Sequence, residues 1–220
     1  MGKVVIAPSI IAADFAVLRE ELRRVDASGA DVVHVDIMDG QFVPNLTIGE
    51  LFVKMLVRES NLPLDLHFMV SNPEIVIPRF YEYGPNSITF HTEAAGSAEA
   101  LIGDINQAGI KAGVSVKPAT AVDVIKPYIE KLNNVLIMSV EPGFSGQSFQ
   151  PAMLDKVRRA LALRRDHRAA FEVWLDGGAN LQTAAEIAAA GTEYIVMGSG
   201  FFKSGDYAET VRKVRGVFAS

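Results

Sequence analysis

The 220 residues are 49% hydrophobic and 21% charged, enough apolar material for one sizeable core and far from the composition of a disordered chain. Lysine and arginine number 21 against 26 acidic residues, a formal net charge of −5, which argues against a nucleic-acid surface. The absence of cysteine excludes a disulfide scaffold, a thiolate nucleophile and any Cys-ligated metal or cluster.

In chain order, Met1-Gly2-Lys3 leads straight into Val4-Val5-Ile6 without a signal or transit composition. No apolar run reaches the roughly 18–20 residues of a membrane span, so a soluble, cytoplasmic protein is expected. A strand is expected at residues 4–9, followed by an amphipathic helix over 15–26 with apolar residues at 15, 18, 22 and 25. Further strands are expected at 32–37, 64–69, 87–91, 112–117, 134–140, 171–176 and 194–198. Helices are expected at 152–163 and at 181–190, the latter stopped by Gly191. Eight strands in 220 residues leave about 27 residues per strand–helix unit, near the minimum for a (β/α)₈ barrel. No linker or composition break divides the chain, so one α/β domain over residues 1–220 is expected. An open doubly wound sheet shares the alternation. The strand count and the placing of polar residues favour the barrel.

Within residues 32–37 the period of two puts His34 and Asp36 on one face, and Val33, Val35 and Ile37 on the other. The apolar trio suits the helix layer, which leaves His34 and Asp36 facing the barrel interior. Asp65 and His67 repeat this among Leu64, Leu66 and Phe68, and the seventh strand ends in Asp176. A buried carboxylate is costly unless paired or metal-bound. Each residue alone reads equally well as a satisfied core polar group. Together they make a nitrogen and oxygen donor set for a divalent ion, or an acid/base site. His167 is placed in a solvated loop before the seventh strand. The glycine turns Asp176-Gly177-Gly178 and Gly198-Ser199-Gly200 follow the strands where such barrels commonly hold phosphate through backbone N–H groups.

Several segments, taken in order, resemble the ribulose-phosphate 3-epimerase family of the pentose phosphate pathway. They are residues 7–15 (APSIIAADF), 34–40 (HVDIMDG) running on to 42–45 (FVPN), 65–70 (DLHFMV), 89–93 (TFHTE), 140–147 (VEPGFSGQ), 175–178 (LDGG) and Gly198-Ser199. The resemblance spans essentially the whole chain. It implies metal-dependent epimerisation at C3 of a ketose phosphate, interconverting D-ribulose 5-phosphate and D-xylulose 5-phosphate through an enediolate. It assigns one divalent ion (Zn, Fe, Mn or Co) to His34, Asp36, His67 and Asp176, with Asp36 and Asp176 also the acid/base pair. Ser9 and His67 contact substrate, Gly143, Phe144, Ser145 and Gly146 close over it, and Gly177, Gly178, Gly198 and Ser199 hold its phosphate. Met38, Met69 and Met138 line the reacting carbons, or simply fill the core. A homo-oligomer is implied, with no nucleic-acid or membrane partner.

Gln41, Ala12, Ser145, Trp174-Leu175 and residues 83–86 depart from the family's usual pattern, and none removes a ligand or an acid/base group. The alternatives are a D-allulose 6-phosphate 3-epimerase, which would share every catalytic residue, and a non-catalytic phosphate-binding barrel. A decarboxylase of the orotidine-phosphate kind needs a lysine where this chain has His67 in Asp65-x-His67-x-x-Val70. His91 and Glu93 share a face and are expected to support the site or pack beside it.

Overall fold

A computed structural model describes residues 3–219. Eight strands form one parallel sheet: β1 Val5–Pro8, β2 Val33–Met38, β3 Leu64–Met69, β4 Ser87–His91, β5 Lys111–Val116, β6 Asn134–Met138, β7 Glu172–Asp176 and β8 Tyr194–Met197. They pair in the order β1-β8-β7-β6-β5-β4-β3-β2. The remaining seam, between β1 and β2, is joined by a Ser9–His34 bridge and by Asp31 N–H donating to Ile6 O at 3.0 Å. The Asp31 carboxylate reinforces it by accepting from Ile6 N–H at 2.9 Å, and is itself held by Arg215 at 2.7 Å. The sheet is thus a nearly closed barrel, and the open doubly wound alternative is excluded.

The helices are α1 Leu18–Ala27, α2 Glu50–Glu59, α3 Pro73–Val76, α4 Ala98–Gln107, α5 Leu154–His167, α6 Ala184–Ala189, α7 Ser199–Phe202 and α8 Tyr207–Ala219. Between β5 and β6 the connection is 3₁₀, Val122–Lys131, because Pro127 lies inside it and breaks a longer α-helix. Strand alternation divides the buried residues as expected. Val33, Val35, Leu66, Ile88, Val114, Ile137, Leu175 and Ile195 pack outward against the helices. Ala7, Leu136, Met138, Trp174, Tyr194 and Val196 pack inside the barrel. Trp174 and Tyr194 stack there at 3.8 Å, and the Trp174 indole donates to Glu172 Oε2 at 2.9 Å.

Six of the expected strands differ by one or two residues at an end, and three expected helices shift further. The first helix opens with a 3₁₀ turn, Phe15–Val17, whose Ala16 N–H is capped by Asp14, so α1 itself starts at Leu18. The fifth runs past residue 163 to His167, where Arg168 turns left-handed at φ 55°, so His167 is an exposed helix end rather than a loop residue. The sixth starts at Ala184 because the Asn180 side chain accepts from Gln182 and Thr183 N–H and holds 180–183 in a turn.

Candidate functional site

Period-two alternation carries His34, Asp36 and Met38 inward from β2, and Asp65, His67 and Met69 inward from β3. His34 is the second residue of its strand, so it lies below the barrel mouth rather than at a strand end. Asp36 and Asp176 sit nearer the C-terminal ends of β2 and β7. Across the barrel these elements bring one donor atom each from His34, Asp36, His67 and Asp176 within 4.8 Å of one another. Asp36 Oδ1 is the hub, 3.3 Å from His34 Nε2 and 3.1 Å from His67 Nδ1. Asp176 Oδ2 lies 3.9 Å from His67 Nδ1. The other Asp36 oxygen accepts from the Ser9 hydroxyl at 2.5 Å.

The local electrostatics separate the two aspartates. Burial opposes charge on Asp36, but His34 and His67 outweigh it and hold its carboxyl well below the ordinary range. Burial and the Asp36 carboxylate push Asp176 up to about 6. A pair displaced in opposite directions suits one base and one acid. Burial also disfavours charge on His34, yet Asp36 and Asp65 together raise its pKa well above the usual histidine value.

His34 supplies the test of whether a cation fits. Its Nδ1 is 2.6 Å from Asp65 Oδ2, while its Nε2 is buried without a hydrogen-bond partner beside the two aspartates. An orphaned imidazole nitrogen, a second imidazole and two carboxylates make a hard-to-borderline donor set suited to a divalent first-row ion. Asp65 is fully buried and also accepts from Ser87 Oγ at 2.8 Å and Tyr194 Oη at 3.1 Å. With three donors pointing at it, it fixes the His34 ring. Its inward direction is legible in the sequence, whereas its link to Tyr194, 129 residues away, is not.

Above this floor lies a cavity of about 740 Å³ lined by Ser9, Asp36, Met38, Met69, Met138 and Asp176. Its walls include Gly143, Phe144, Ser145 and Gly146 on one side, and Gly177, Gly178, Gly198 and Ser199 on the other. His34 and His67 are wholly buried beneath it. Gly177 and Gly178 have φ of 116° and 67°, and a Cβ would fall 2.6 Å from Val140 Cγ2 and 2.7 Å from the Phe149 backbone. Only glycine fits both the backbone and the space. Ser139 Oγ donates to the carbonyls of Asp176 and Gly177, at 2.8 and 2.6 Å, and pins the turn.

The segment after β6 is tied into the same rim. Gln147 Nε2 donates to Glu141 O and Phe144 O, and Phe144 projects outward, 54% exposed. Asn45 Nδ2 donates to Gly143 O at 3.0 Å, a contact across 98 residues that no local pattern announces. Asp39 holds the segment after β2, accepting from Gln41 and Phe42 N–H and from both Ser71 N–H and its hydroxyl. Burial opposes charge there, but those bonds draw the Asp39 carboxyl down to about 2. Lys203 and Lys213 of the C-terminal segment also line the cavity, a placement that no local pattern announces.

His91 and Glu93 stand beside the donor cluster rather than in it. Burial pushes the His91 imidazole down to about 4. Burial likewise disfavours charge on Glu93, but hydrogen bonds, led by that of His91, hold it at about 2. Among the described residues no helix is long and apolar enough to cross a membrane.

A family model for the ribulose-phosphate 3 epimerase family matches residues 5–202. The chain is 41% identical over 222 residues to ribulose-phosphate 3-epimerase of Escherichia coli (strain K12), covering 100% of this chain and 98% of that one. It is 42% identical over 214 residues to the protein of that name in Mycobacterium tuberculosis (strain ATCC 25618 / H37Rv), covering 97% and 93%. Among solved structures it is similar to KGPDC from Streptococcus mutans, with a TM-score of 0.71 at 12% identity over 99% of this chain and 98% of that one. Phosphoribosyl anthranilate isomerase from Thermus thermophilus gives 0.67 at 14% identity, over 98% of each chain. At such identities these structures speak for the barrel alone.

Proposed function

The chain belongs to the ribulose-phosphate 3-epimerase family, and from that premise we propose that it inverts C3 of a ketose phosphate, interconverting D-ribulose 5-phosphate and D-xylulose 5-phosphate. One observation carries the reading: strands on different sides of the barrel converge two aspartates and two histidines within 4.8 Å at the floor of a single cavity.

His34, Asp36, His67 and Asp176 hold the divalent ion, whether Zn, Fe, Mn or Co. When bound, such an ion supplies Lewis acidity that stabilises negative charge developing on substrate oxygens as a proton leaves carbon. Asp36, kept ionised, takes the C3 proton from one face of the substrate. Asp176, raised to about 6, delivers a proton to the opposite face. In the reverse direction the two exchange roles. One carboxylate alone would return the proton to the side it came from; two on opposite sides invert. Ser9 orients Asp36 through their hydrogen bond and reaches substrate from the cavity wall. His67 contributes from beneath. Met38, Met69 and Met138 exclude water from the reacting carbons.

The phosphate is held by backbone N–H groups at Gly177-Gly178 and Gly198-Ser199, with positive charge from Lys203 and Lys213 nearby. Gly143, Phe144, Ser145 and Gly146 close over the sugar, and the exposed Phe144 is what closure would bury. Residues 1–220 act as one domain, in the cytoplasm, as a homo-oligomer. Exposed Leu46, Leu51 and Ile75, at 74%, 86% and 71%, are the kind of apolar surface that self-association covers.

The test is a coupled epimerisation assay on ribulose 5-phosphate and allulose 6-phosphate side by side, repeated after chelation and after return of the metal. Preferential turnover of the pentose, lost on chelation and restored by metal, is expected. Preference for the hexose would move the protein to the other substrate. Metal binding without turnover of either would make it a binding barrel.

A further inference from the structure

Each nitrogen of the three buried histidine rings has a definite orientation. His34 turns Nδ1 to Asp65 and leaves Nε2 free toward Asp36. His67 is reversed: Nδ1 faces Asp36 and Asp176, while Nε2 points away. That second nitrogen meets His91 Nε2 at 3.1 Å and Ser115 Oγ at 3.3 Å. His91 in turn sets its Nδ1 3.3 Å from Glu93 Oε2. The path therefore runs from β3 to β4 and ends just beyond the strand, at a carboxylate remote from the cluster. His67, His91 and Ser115 are all wholly buried.

The proton positions follow from donor and acceptor counting. A carboxylate only accepts, so His91 carries its proton on Nδ1. Two ring nitrogens 3.1 Å apart need one donor and one acceptor, and the single proton of His91 is already directed at Glu93. Its Nε2 is the acceptor and His67 donates from Nε2, so Nδ1, 3.1 Å from Asp36 Oδ1, is the nitrogen left to serve a cation held beside that carboxylate. Glu93 is well placed to hold this arrangement, because its other oxygen accepts from Lys117 N–H at 2.8 Å and cannot swing away. Phe42 covers the His91 ring at 4.8 Å, and the Lys117 ammonium sits 3.8 Å over Phe42.

We propose that Glu93, acting through His91, is a positioning residue that fixes the tautomer of His67, so that Nδ1 is the nitrogen His67 offers to a divalent cation. The inference rests on the metal-site reading of the cluster and extends it to two residues outside the donor set. Asp65 does directly for His34 what Glu93 does for His67 through an intervening imidazole, and the two ligand rings consequently present opposite nitrogens.

Zn²⁺ alone is the probe. Long-range nitrogen–proton NMR of the Zn²⁺-loaded parent protein is expected to show a proton on Nε2 of His67 and on Nδ1 of His91. Glu93→Gln retains the volume but offers one acceptor to two donors, Lys117 N–H and His91 Nδ1–H. It is expected to weaken Zn²⁺ binding about 10–100-fold in a chelator competition run well below the melting temperature of the metal-free variant. His91→Phe should lose a comparable factor, and the double variant should bind no more weakly than His91→Phe alone. A proton on Nδ1 of His67, a parent-like affinity for Glu93→Gln, or losses that simply add would overturn the proposal. The NMR arm needs no variant to fold. A Zn²⁺-loaded parent inactive on ribulose 5-phosphate, but with these ring assignments, would count against the proposed reaction and not against the tautomer.

Discussion

The two halves of the barrel interior are built from different chemistry. On β2, β3 and β4 the inward positions carry His34, Asp36, Asp65, His67, Ser87, Thr89 and His91, joined by hydrogen bonds across strands. On β6, β7 and β8 they are more apolar, Leu136, Met138, Trp174, Tyr194 and Val196, with the buried Asn134 accepting from Thr89 as a polar exception. The first half fixes protons and ring orientations. The second supplies a more apolar wall, and beyond its strand ends come the glycine turns proposed to hold the phosphate. Asp176 crosses the divide. It is a carboxylate from the apolar half that reaches the ionisable one, and it is the aspartate whose pKa rises while that of Asp36 falls. The difference teaches that an acid and a base can be made from one residue type by the wall each grows from.

The contrast is broken most severely by removing that crossing residue. Asp176→Asn should lower epimerisation by about 10²–10⁴-fold, the usual worth of a positioned acid or base. In deuterated water it should still exchange the C3 proton of whichever epimer faces Asp36, read by mass spectrometry beside a count of metal per chain. Near-normal epimerisation by a metal-replete Asp176→Asn protein would end the two-acid mechanism.

Within the ionisable half, His67→Ala should cut metal content and activity together, by more than the roughly 10–100-fold that loss of an outer partner costs. Full metal occupancy in this variant, measured by elemental analysis, would remove His67 from the ligand set.

On the other side, Gly198→Val should raise KM for the phosphosugar roughly 10–100-fold. A side chain whose Cβ lies 3.1 Å from Ser145 Oγ crowds the turn and displaces the phosphate, at the cost of one charge-assisted hydrogen bond, about 1.5–3 kcal/mol. Metal content should stay unchanged, because the turn carries none of the four donor residues. Equal turnover of unphosphorylated ribulose by the parent protein would contradict a phosphate role for these turns.

The smallest effect belongs to Asp39, which ties the segments after β2 and β3. Its carboxyl is lowered from the ordinary 3.8 to about 2, so its stabilising bonds are fully present above the ordinary value and vanish as pH falls through about 2. Asp39→Asn should therefore lower Tm by a few degrees at pH 5–7, and the gap to the parent should narrow as pH drops from about 4 toward 2. A pH-independent gap would mean that the charge of Asp39 contributes nothing.

Much of this was legible along the chain because it is short-ranged. A period of two in residues 33–38 and 64–69 is enough to send His34, Asp36, Asp65 and His67 inward, and paired glycines after the seventh strand announce a turn with no room for side chains. The number of strands and the order of motifs carried the barrel and the family. Helix starts were less legible, since a polar side chain such as Asn180 competes for the first backbone donors and delays the helix.

What only the tertiary structure decided is which inward groups meet and through which atoms. Tyr194 reaches Asp65, Asn45 reaches Gly143, and His91 reaches His67 across gaps of 129, 98 and 24 residues. Closing the sheet makes these contacts, and it also brings His34, His67 and the two aspartates together, so that burial and those neighbours shift two identical carboxylates in opposite directions. Alternation fixes direction by local sterics. Depth in the barrel, and the neighbour found there, depend on strand register and closure, which are properties of the whole chain.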